Sequence, residues 1–309
     1  MNDELAPLIV VAGPTGSGKS DLAMTLAQTF RGEIVNCDSL QLYRYLNIGT
    51  AKTPQAERQG IPHHLFDILN PDEVFTAGDY SRLARAAVKD ITDRGSLPIV
   101  VGGTGFYLRA LLDGLFAGPA RSTGLRERLA RRPSSLHKLL HRFDPAAAAR
   151  IHANDTQKLI RALEVCLLAR RPITSLHAEG TQPLAGFRVL KLGLDPPRTA
   201  LVASLNHRCI KMFGAGLVEE VRHVIALGYP PTSKAFESIG YREAILHIDG
   251  VFTLEEAIAA TQIATRQYAK RQRTWFRREP GMHWLQEFGN LDKTAETAIG
   301  LVQNVLNIS

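Results

Sequence analysis

With 309 residues, 45% of them apolar and 22% charged, the chain is long enough for one large or two modest domains with a sizeable core. No apolar run approaches the ~18 residues that a membrane span needs, and the opening Met1-Asn2-Asp3-Glu4 carries no secretory leader; a cytoplasmic protein without a membrane partner is expected. A net charge of +7 leans toward a polyanionic partner, while Cys37, Cys166 and Cys209 show neither a disulfide framework nor metal-ligand spacing.

Leu8-Ile9-Val10-Val11 reads as a short buried strand, and Leu22, Ala23, Leu26 and Ala27 predict a helix soon after it. Between them lies Gly13-Pro14-Thr15-Gly16-Ser17-Gly18-Lys19-Ser20, a P-loop in the context its chemistry requires. The glycines let backbone N–H groups converge on phosphate oxygens at the positive end of the helix. Lys19 then reaches the outer phosphate as a point charge, and the Ser20 hydroxyl is a ligand for Mg²⁺. The alternative, a chance glycine turn, is disfavoured by the flanking strand and helix.

Glu33–Asp38 predicts a second strand with Asp38 at its carboxyl end, where ligands sit in open α/β sheets. There a carboxylate can take a proton or hold a metal, and equally it can cap the following turn. Residues 50–71 are loop-rich, and the adjacent His63 and His64 lack the i,i+4 spacing of a zinc pair. Thr76 opens an amphipathic helix over Leu83, Ala87 and Ile91, which Gly95 closes. Leu97–Val101 is a third strand, and Gly102-Gly103-Thr104-Gly105 is a second glycine loop that opens a helix over Tyr107, Leu108 and Leu111. P-loop proteins that hydrolyse ATP usually place an acid at such a strand end. Here only glycines and Thr104 stand there, which disfavours a motor or switch.

From 119 to 186 strand signals vanish and Arg121, Arg126, Arg128, Arg131, Arg132, Arg142 and Arg150 punctuate Ala/Leu-rich helical text. This predicts an all-helical insertion at 119–186 within an α/β core made of 1–118 and 187–309. Asp155 caps a helix with Leu159, Leu163, Cys166 and Leu167 on its apolar face and Gln157, Arg161 and Glu164 on another, a pattern that by itself gives a solvated face. Phe187–Leu194 returns to strand, helices follow over 198–213 and 217–227, and Glu237–Arg242 reads as a turn with an exposed Tyr241-Arg242 pair.

Thr265–Arg278 holds six basic residues and no acid. Arg266, Lys270, Arg273 and Arg277 form one helical stripe, with Ala264, Tyr268, Arg271 and Trp275 as a neighbouring row that can anchor it. Like charges in a stripe repel unless an anion neutralises them, so nucleic acid or a polyphosphate is favoured over a solvated face. Beyond Glu279 no motif is legible.

Taken together, Gly13–Ser20, Asp38-Ser39 with Gln41 and Tyr43-Arg44, Asn47–Lys52, Pro62–Leu65, Gly102–Tyr107, Asp155–Val165, Gly240–Arg242 and Thr265–Arg277 resemble the tRNA dimethylallyltransferase (isopentenyltransferase) family in unbroken order over about residues 8–280. The resemblance implies a P-loop NTPase-like parallel sheet flanked by helices, with the insertion gripping the tRNA anticodon stem-loop. It implies transfer of a dimethylallyl group from dimethylallyl diphosphate to the exocyclic amine of the adenine 3′ of the anticodon, with Mg²⁺ as cofactor, by a monomer. In it Asp38 is the base, Thr104 and Arg208 help hold the diphosphate or the adenine, and the P-loop holds the pyrophosphate. Contacts with tRNA fall to Asp38, Ser39, Leu40, Gln41, Thr104 and Arg126, to Gln157, Lys158, Leu159, Ile160 and Arg161, and to Glu237, Ser238, Ile239, Gly240, Tyr241 and Arg242. The stripe of Arg266, Lys270, Arg273 and Arg277 tracks phosphates. On the residues alone, a P-loop small-molecule kinase and a nucleotide-gated RNA-binding protein without catalysis remain as rivals, separated by release of pyrophosphate and by covalent change of tRNA.

Overall fold

The computed structural model describes residues 5–307; Met1–Glu4, read above as carrying no secretory leader, lie outside them. The chain forms two compact units, Leu112–Leu184 being one and the sequence on either side the other.

The larger unit is built from β1 (Ala6–Ala12), α1 (Lys19–Phe30), β2 (Gly32–Asn36), β3 (His63–His64), α2 (Ala77–Asp93), β4 (Leu97–Gly102) and α3 (Gly105–Leu112). The smaller holds α4 (Thr123–Ala130), α5 (Leu136–Phe143), α6 (Pro145–Arg150), α7 (Thr156–Ala169) and α8 (Ile173–Ala178). The larger then resumes with β5 (Phe187–Leu194), α9 (Arg198–Gly214), α10 (Leu217–Ala226), α11 (Tyr241–Ile248), α12 (Leu254–Phe276), β6 (Met282–Leu285) and α13 (Asp292–Leu306).

The six strands form one parallel sheet in the order β3-β2-β4-β1-β5-β6. β1 is paired on both edges, which is why Leu8–Val11 is an unbroken apolar run rather than an alternating one. Ile9, Val11, Ile34, Ile99, Val101 and Leu192 face one side and pack against Leu22 and Leu26 of α1 and Ala298 and Val302 of α13. Val10, Val35 and Val100 alternate to the other face. The chain steps from β1 past β4 to β2, back to β4, and then to β5 on the far side of β1. The P-loop therefore sits at the carboxyl edge where strand order reverses, the place where such sheets bind ligands. There a Cβ at Gly102 would lie 2.1 Å from the Cys37 carbonyl, so the ends of β2 and β4 approach this closely only with glycine.

In the smaller unit Leu136, Leu140, Leu159, Leu163, Cys166 and Leu176 make the core. It begins at Leu112 rather than 119, because the Leu184 N–H donates to the Leu112 carbonyl at 2.7 Å and closes the two ends together. Three expectations for α7 are corrected. Leu159 and Ile160, assigned to RNA, point into the core, at 0% and 5% exposure. Glu164, assigned to a solvated face, is fully buried and accepts from Ser122 N–H (2.7 Å), from Arg126 twice (3.0 Å each) and from Arg161 (2.7 Å).

Burial alone would raise the Glu164 pKa, but the hydrogen bonds from Arg126, Ser122 N–H and Arg161 hold it below the ordinary value. A depressed carboxylate contributes stability that is full above its unfolded pKa and is lost as pH falls through the folded one. Glu164→Gln is therefore expected to cost about 3 kcal/mol near neutrality, since two arginines lose their counter-charge. It should also flatten the acid limb of the stability curve. Urea titrations at pH 7 and at about pH 3 check both, and an unchanged acid limb would remove Glu164 from it.

Candidate active site

The P-loop closes tightly around its own lysine. Gly18, immediately before α1, adopts φ 84°, and a Cβ there would meet Gly289 N at 2.7 Å. The Gly289 N–H donates to the Ser17 carbonyl at 2.9 Å, so the loop after β6 packs on the P-loop from a region where no motif was legible. Lys19 Nζ donates to the Pro14 carbonyl at 2.6 Å. Burial lowers the Lys19 pKa to about 8; the Asp38 carboxylate opposes that shift and Arg208 adds to it.

Gln272 of α12 is buried between the two glycine loops. Its Oε1 accepts the Thr15 N–H at 2.8 Å and its Nε2 donates to the Gly103 carbonyl at 2.9 Å. A single side chain thus fixes the P-loop against the loop that follows β4.

Lys19, Ser20, Asp38, Gln41, Arg208 and Gln272 line one cavity of about 1030 Å³, with residues 50–54, Phe288 and Asn290 completing its wall. Asp38 Oδ1 accepts the Leu40 N–H at 2.9 Å, and the Asp38 N–H donates to Asn36 Oδ1 at 2.8 Å. The carboxylate therefore caps a turn and still faces the cavity, so the two readings of Asp38 are compatible. Thr104 Oγ1 accepts the Ser39 N–H at 3.1 Å and so joins the Asp38 turn to the second glycine loop. Tyr268 hydrogen-bonds Thr104; burial, then the Asp38 charge, raises its pKa. Arg208 is enclosed on α9, where burial lowers its pKa and Asp38 opposes the change.

The Glu237–Arg242 expectation is corrected at Tyr241, which is 0% exposed rather than presented outward. Its hydroxyl donates to Glu220 (2.7 Å) and accepts the Gly49 N–H (3.1 Å), while the Glu220 carboxylate also takes the Asn47 and Ile48 N–H groups. A Cβ at Gly49 would lie 2.4 Å from the Tyr241 ring. Tyr241 thus pins the loop whose continuation, Thr50–Lys52, walls the cavity. Glu237 and Arg242 are exposed and paired with Lys234 and Glu243; Ser238 and Ile239 are half-buried and Gly240 is buried.

The basic stripe divides. Arg266 donates to Asn206 Oδ1 at 2.6 Å, and the single carboxylate of Asp195 holds both Arg273 (2.6 Å) and Arg277 (2.8 Å), so three of the four cations have partners within the protein. Lys270 is exposed and lines a surface groove with Arg109, Arg271, Arg278 and Trp275. Of the expected row, Ala264, Tyr268 and Trp275 are half-buried and Arg271 is exposed; the fully buried row of the helix is Ala269, Gln272 and Phe276. That i, i+3, i+7 spacing was present in the sequence and would have marked Gln272 as buried. Gln157 and Lys158 are exposed, while Arg126 and Arg161 are half-buried on Glu164. His64 meets Glu33 at 2.6 Å and His63 the Ile61 carbonyl at 2.8 Å.

A family model described as IPP transferase matches residues 41–279. The chain is 59% identical over 304 residues to a tRNA dimethylallyltransferase of Solibacter usitatus, covering 97% of this chain and 99% of that one. It is 57% identical over 295 residues to a protein of the same name from Koribacter versatilis, covering 94% and 95%. Among solved structures, a tRNA isopentenylpyrophosphate transferase of Bacillus halodurans aligns at TM-score 0.73 and 34% identity over 97% of each chain. A eukaryotic dimethylallyltransferase acting on tRNA aligns at TM-score 0.85 and 28% identity, over 98% of this chain and 80% of that one.

Two outcomes are expected with inorganic pyrophosphate as the probe. Affinity measured by calorimetry should fall as pH rises through about 8, where Lys19 loses its proton, and Lys19→Met should lack that step. A wild-type profile without the step would take Lys19 out of phosphate contact. Gln272→Leu, which leaves Thr15 N–H and Gly103 C=O unpaired, should lower stability by about 2 kcal/mol and weaken pyrophosphate roughly tenfold.

Proposed function

The chain belongs to the IPP transferase family, and from that premise we propose that it transfers a dimethylallyl group from dimethylallyl diphosphate to tRNA, at the N6 amine of adenine 37, the base 3′ of the anticodon. One observation carries this reading: Lys19, Ser20, Asp38 and Arg208 share a cavity whose second glycine loop offers Gly102, Gly103 and Thr104 instead of an acid. Such a site grips a diphosphate with no carboxylate on the loop after β4, where P-loop proteins that hydrolyse ATP usually place one to aim water. The diphosphate is placed to leave rather than to be cut.

In the reaction the amine nitrogen attacks C1 of the dimethylallyl group, the C1–O bond breaks, and pyrophosphate departs with the bonding pair. Lys19 and Arg208 oppose the charge that grows on the departing oxygen. Asp38 accepts a hydrogen bond from the amine and takes its proton as the N–C bond forms. An aryl amine is a weak nucleophile, so alignment matters more than base strength. Gln272 and the Ser39–Thr104 bond supply that alignment by holding the two loops and the Asp38 turn together. The adenine must leave its stack to enter.

Among the described residues no three His, Cys, Asp or Glu side chains cluster as metal ligands, so the protein alone does not cage an ion. The donors on the cavity wall are oxygens, the Ser20 hydroxyl and the Asp38 carboxylate, which suits a hard cation that takes its other ligands from phosphate and water. Bound there, Mg²⁺ would neutralise diphosphate charge. The reading takes the enzyme as a cytoplasmic monomer; no helix among the described residues is long and apolar enough to cross a membrane.

Asp38→Ala is expected to cut single-turnover prenylation by roughly 10²-fold or more while leaving tRNA affinity nearly intact. Mass spectrometry of nucleosides from treated tRNA reads the product. A wild-type rate in the variant would reduce Asp38 to a turn cap. Release of ADP from ATP in place of pyrophosphate from the prenyl donor would make the protein a kinase.

A further inference from the structure

Three consecutive amides of the larger unit are held from outside their own loop. Asn47, Ile48 and Gly49 open a turn that closes with the Ala51 N–H on the Ile48 carbonyl (3.0 Å) and the Lys52 N–H on the Asn47 carbonyl (3.1 Å). No backbone carbonyl among the described residues takes the three opening N–H groups. The Glu220 carboxylate, in the first turn of α10, accepts Asn47 N–H at 3.0 Å and Ile48 N–H at 2.9 Å. The hydroxyl of Tyr241, the first residue of α11, accepts Gly49 N–H at 3.1 Å and donates to Glu220 at 2.7 Å. Successive N–H groups form an anion-binding concavity, which a carboxylate fills better than a neutral group does. Burial, then the Glu220 charge, pushes the Tyr241 hydroxyl well up, so it remains a donor.

The other end of the same turn reaches Asp38. The Thr50 and Ala51 carbonyls accept Gln41 Nε2 at 3.2 and 3.5 Å. Gln41 follows directly on the turn in which Asp38 Oδ1 accepts the Leu40 N–H, and both side chains line the cavity. Both hydrogens of the Gln41 amide are spent on the two carbonyls, which gives the side chain one orientation and leaves Oε1 as its free acceptor. Neither Glu220 nor Tyr241 lines the cavity; they reach it only through this turn.

We propose that Glu220 and Tyr241 are positioning residues for the prenyl transfer: they fix the 47–51 turn, the turn fixes the Gln41 amide, and the amide fixes the wall beside Asp38. The proposal rests on the reading of the protein as a tRNA prenyltransferase, and it gives Tyr241 an inward role in place of an RNA contact. The physical argument is one of stiffness. A weak nucleophile depends on alignment, and a misplacement of about 1 Å at a reacting centre costs up to ~10²-fold in rate. The cations that grip the diphosphate, Lys19 and Arg208, stand on α1 and α9, so loosening this wall separates rate from donor binding.

The test measures single-turnover prenylation at saturating tRNA and donor in Tyr241→Phe, Glu220→Gln, Gln41→Met and Glu220→Gln/Gln41→Met. Tyr241→Phe keeps the ring against Gly49 and removes only the hydroxyl. It and Glu220→Gln should each lose roughly tenfold in rate, with KM for dimethylallyl diphosphate and tRNA affinity within about threefold of the wild type. Because Glu220 acts through Gln41, the double variant should be slower than Gln41→Met by no more than about twofold. Hydrogen exchange in a peptide covering 38–52 should be faster in Tyr241→Phe and Glu220→Gln. A wild-type rate in folded Tyr241→Phe would overturn the proposal, and so would a double variant whose loss is the product of the two single losses. Lost tRNA affinity at an unchanged rate would return Tyr241 to the RNA surface. If Glu220→Gln does not fold, the cycle of Tyr241→Phe with Gln41→Met makes the same decision. A wild type that forms no prenylated tRNA would refute the proposed activity, whereas unchanged exchange in the variants would refute the clamp whatever the activity.

Discussion

The arrangement of the larger unit turns on one buried amide. Gln272 accepts from the P-loop at Thr15 and donates to the second glycine loop at Gly103, and both loops lack side chains with which to hold each other. Glycine is needed where strand ends crowd together, as at Gly102 against Cys37, but it leaves backbone groups to be satisfied by something else. A long neutral side chain with one donor and one acceptor does this without placing a charge beside the phosphates. The helix that supplies it also brings Tyr268 to Thr104, so a single element sets the P-loop, the second loop and, through Ser39, the turn that carries Asp38.

A second constraint decides which cations are available to a ligand. Asp195 takes Arg273 and Arg277, Glu164 takes Arg126 and Arg161, and Glu279 takes Lys191. Each of these carboxylates is itself buried, and a buried carboxylate left without its partner is costly. These cations are therefore committed, whereas Lys270 is exposed with no carboxylate partner among the described residues, and an anion in solution can reach it. Lys19 differs from all of these. Its ammonium donates to the Pro14 carbonyl and is desolvated, with the Asp38 carboxylate opposing the shift, and it faces the cavity in which an anion would sit.

Much of this was legible from local pattern. The strand, glycine loop and helix of the P-loop, the second strand (read to Asp38, though it ends at Asn36), the Thr76 and Asp155 caps and the helical insertion follow from short-range rules: periodicity, capping and glycine placement. These are interactions between residues a few positions apart, so the order of residues contains them. The sheet, the switch point at β1 and the position of Asp38 beside the P-loop follow from them with little further choice.

What sequence could not decide was which face of each helix is covered and by what. Tyr241 was read as exposed and is buried, because its partners Glu220 and Gly49 lie far from it in the chain. The stripe on α12 was read as uncompensated, because Asp195 sits at the end of β5, outside that segment. Glu164 looked solvated, because the arginine that buries its charge comes from α4. The loop at Gly289, which packs on Gly18, carried no motif at all. In every case the deciding contact spans a long separation in sequence, and only the tertiary fold brings its two halves together.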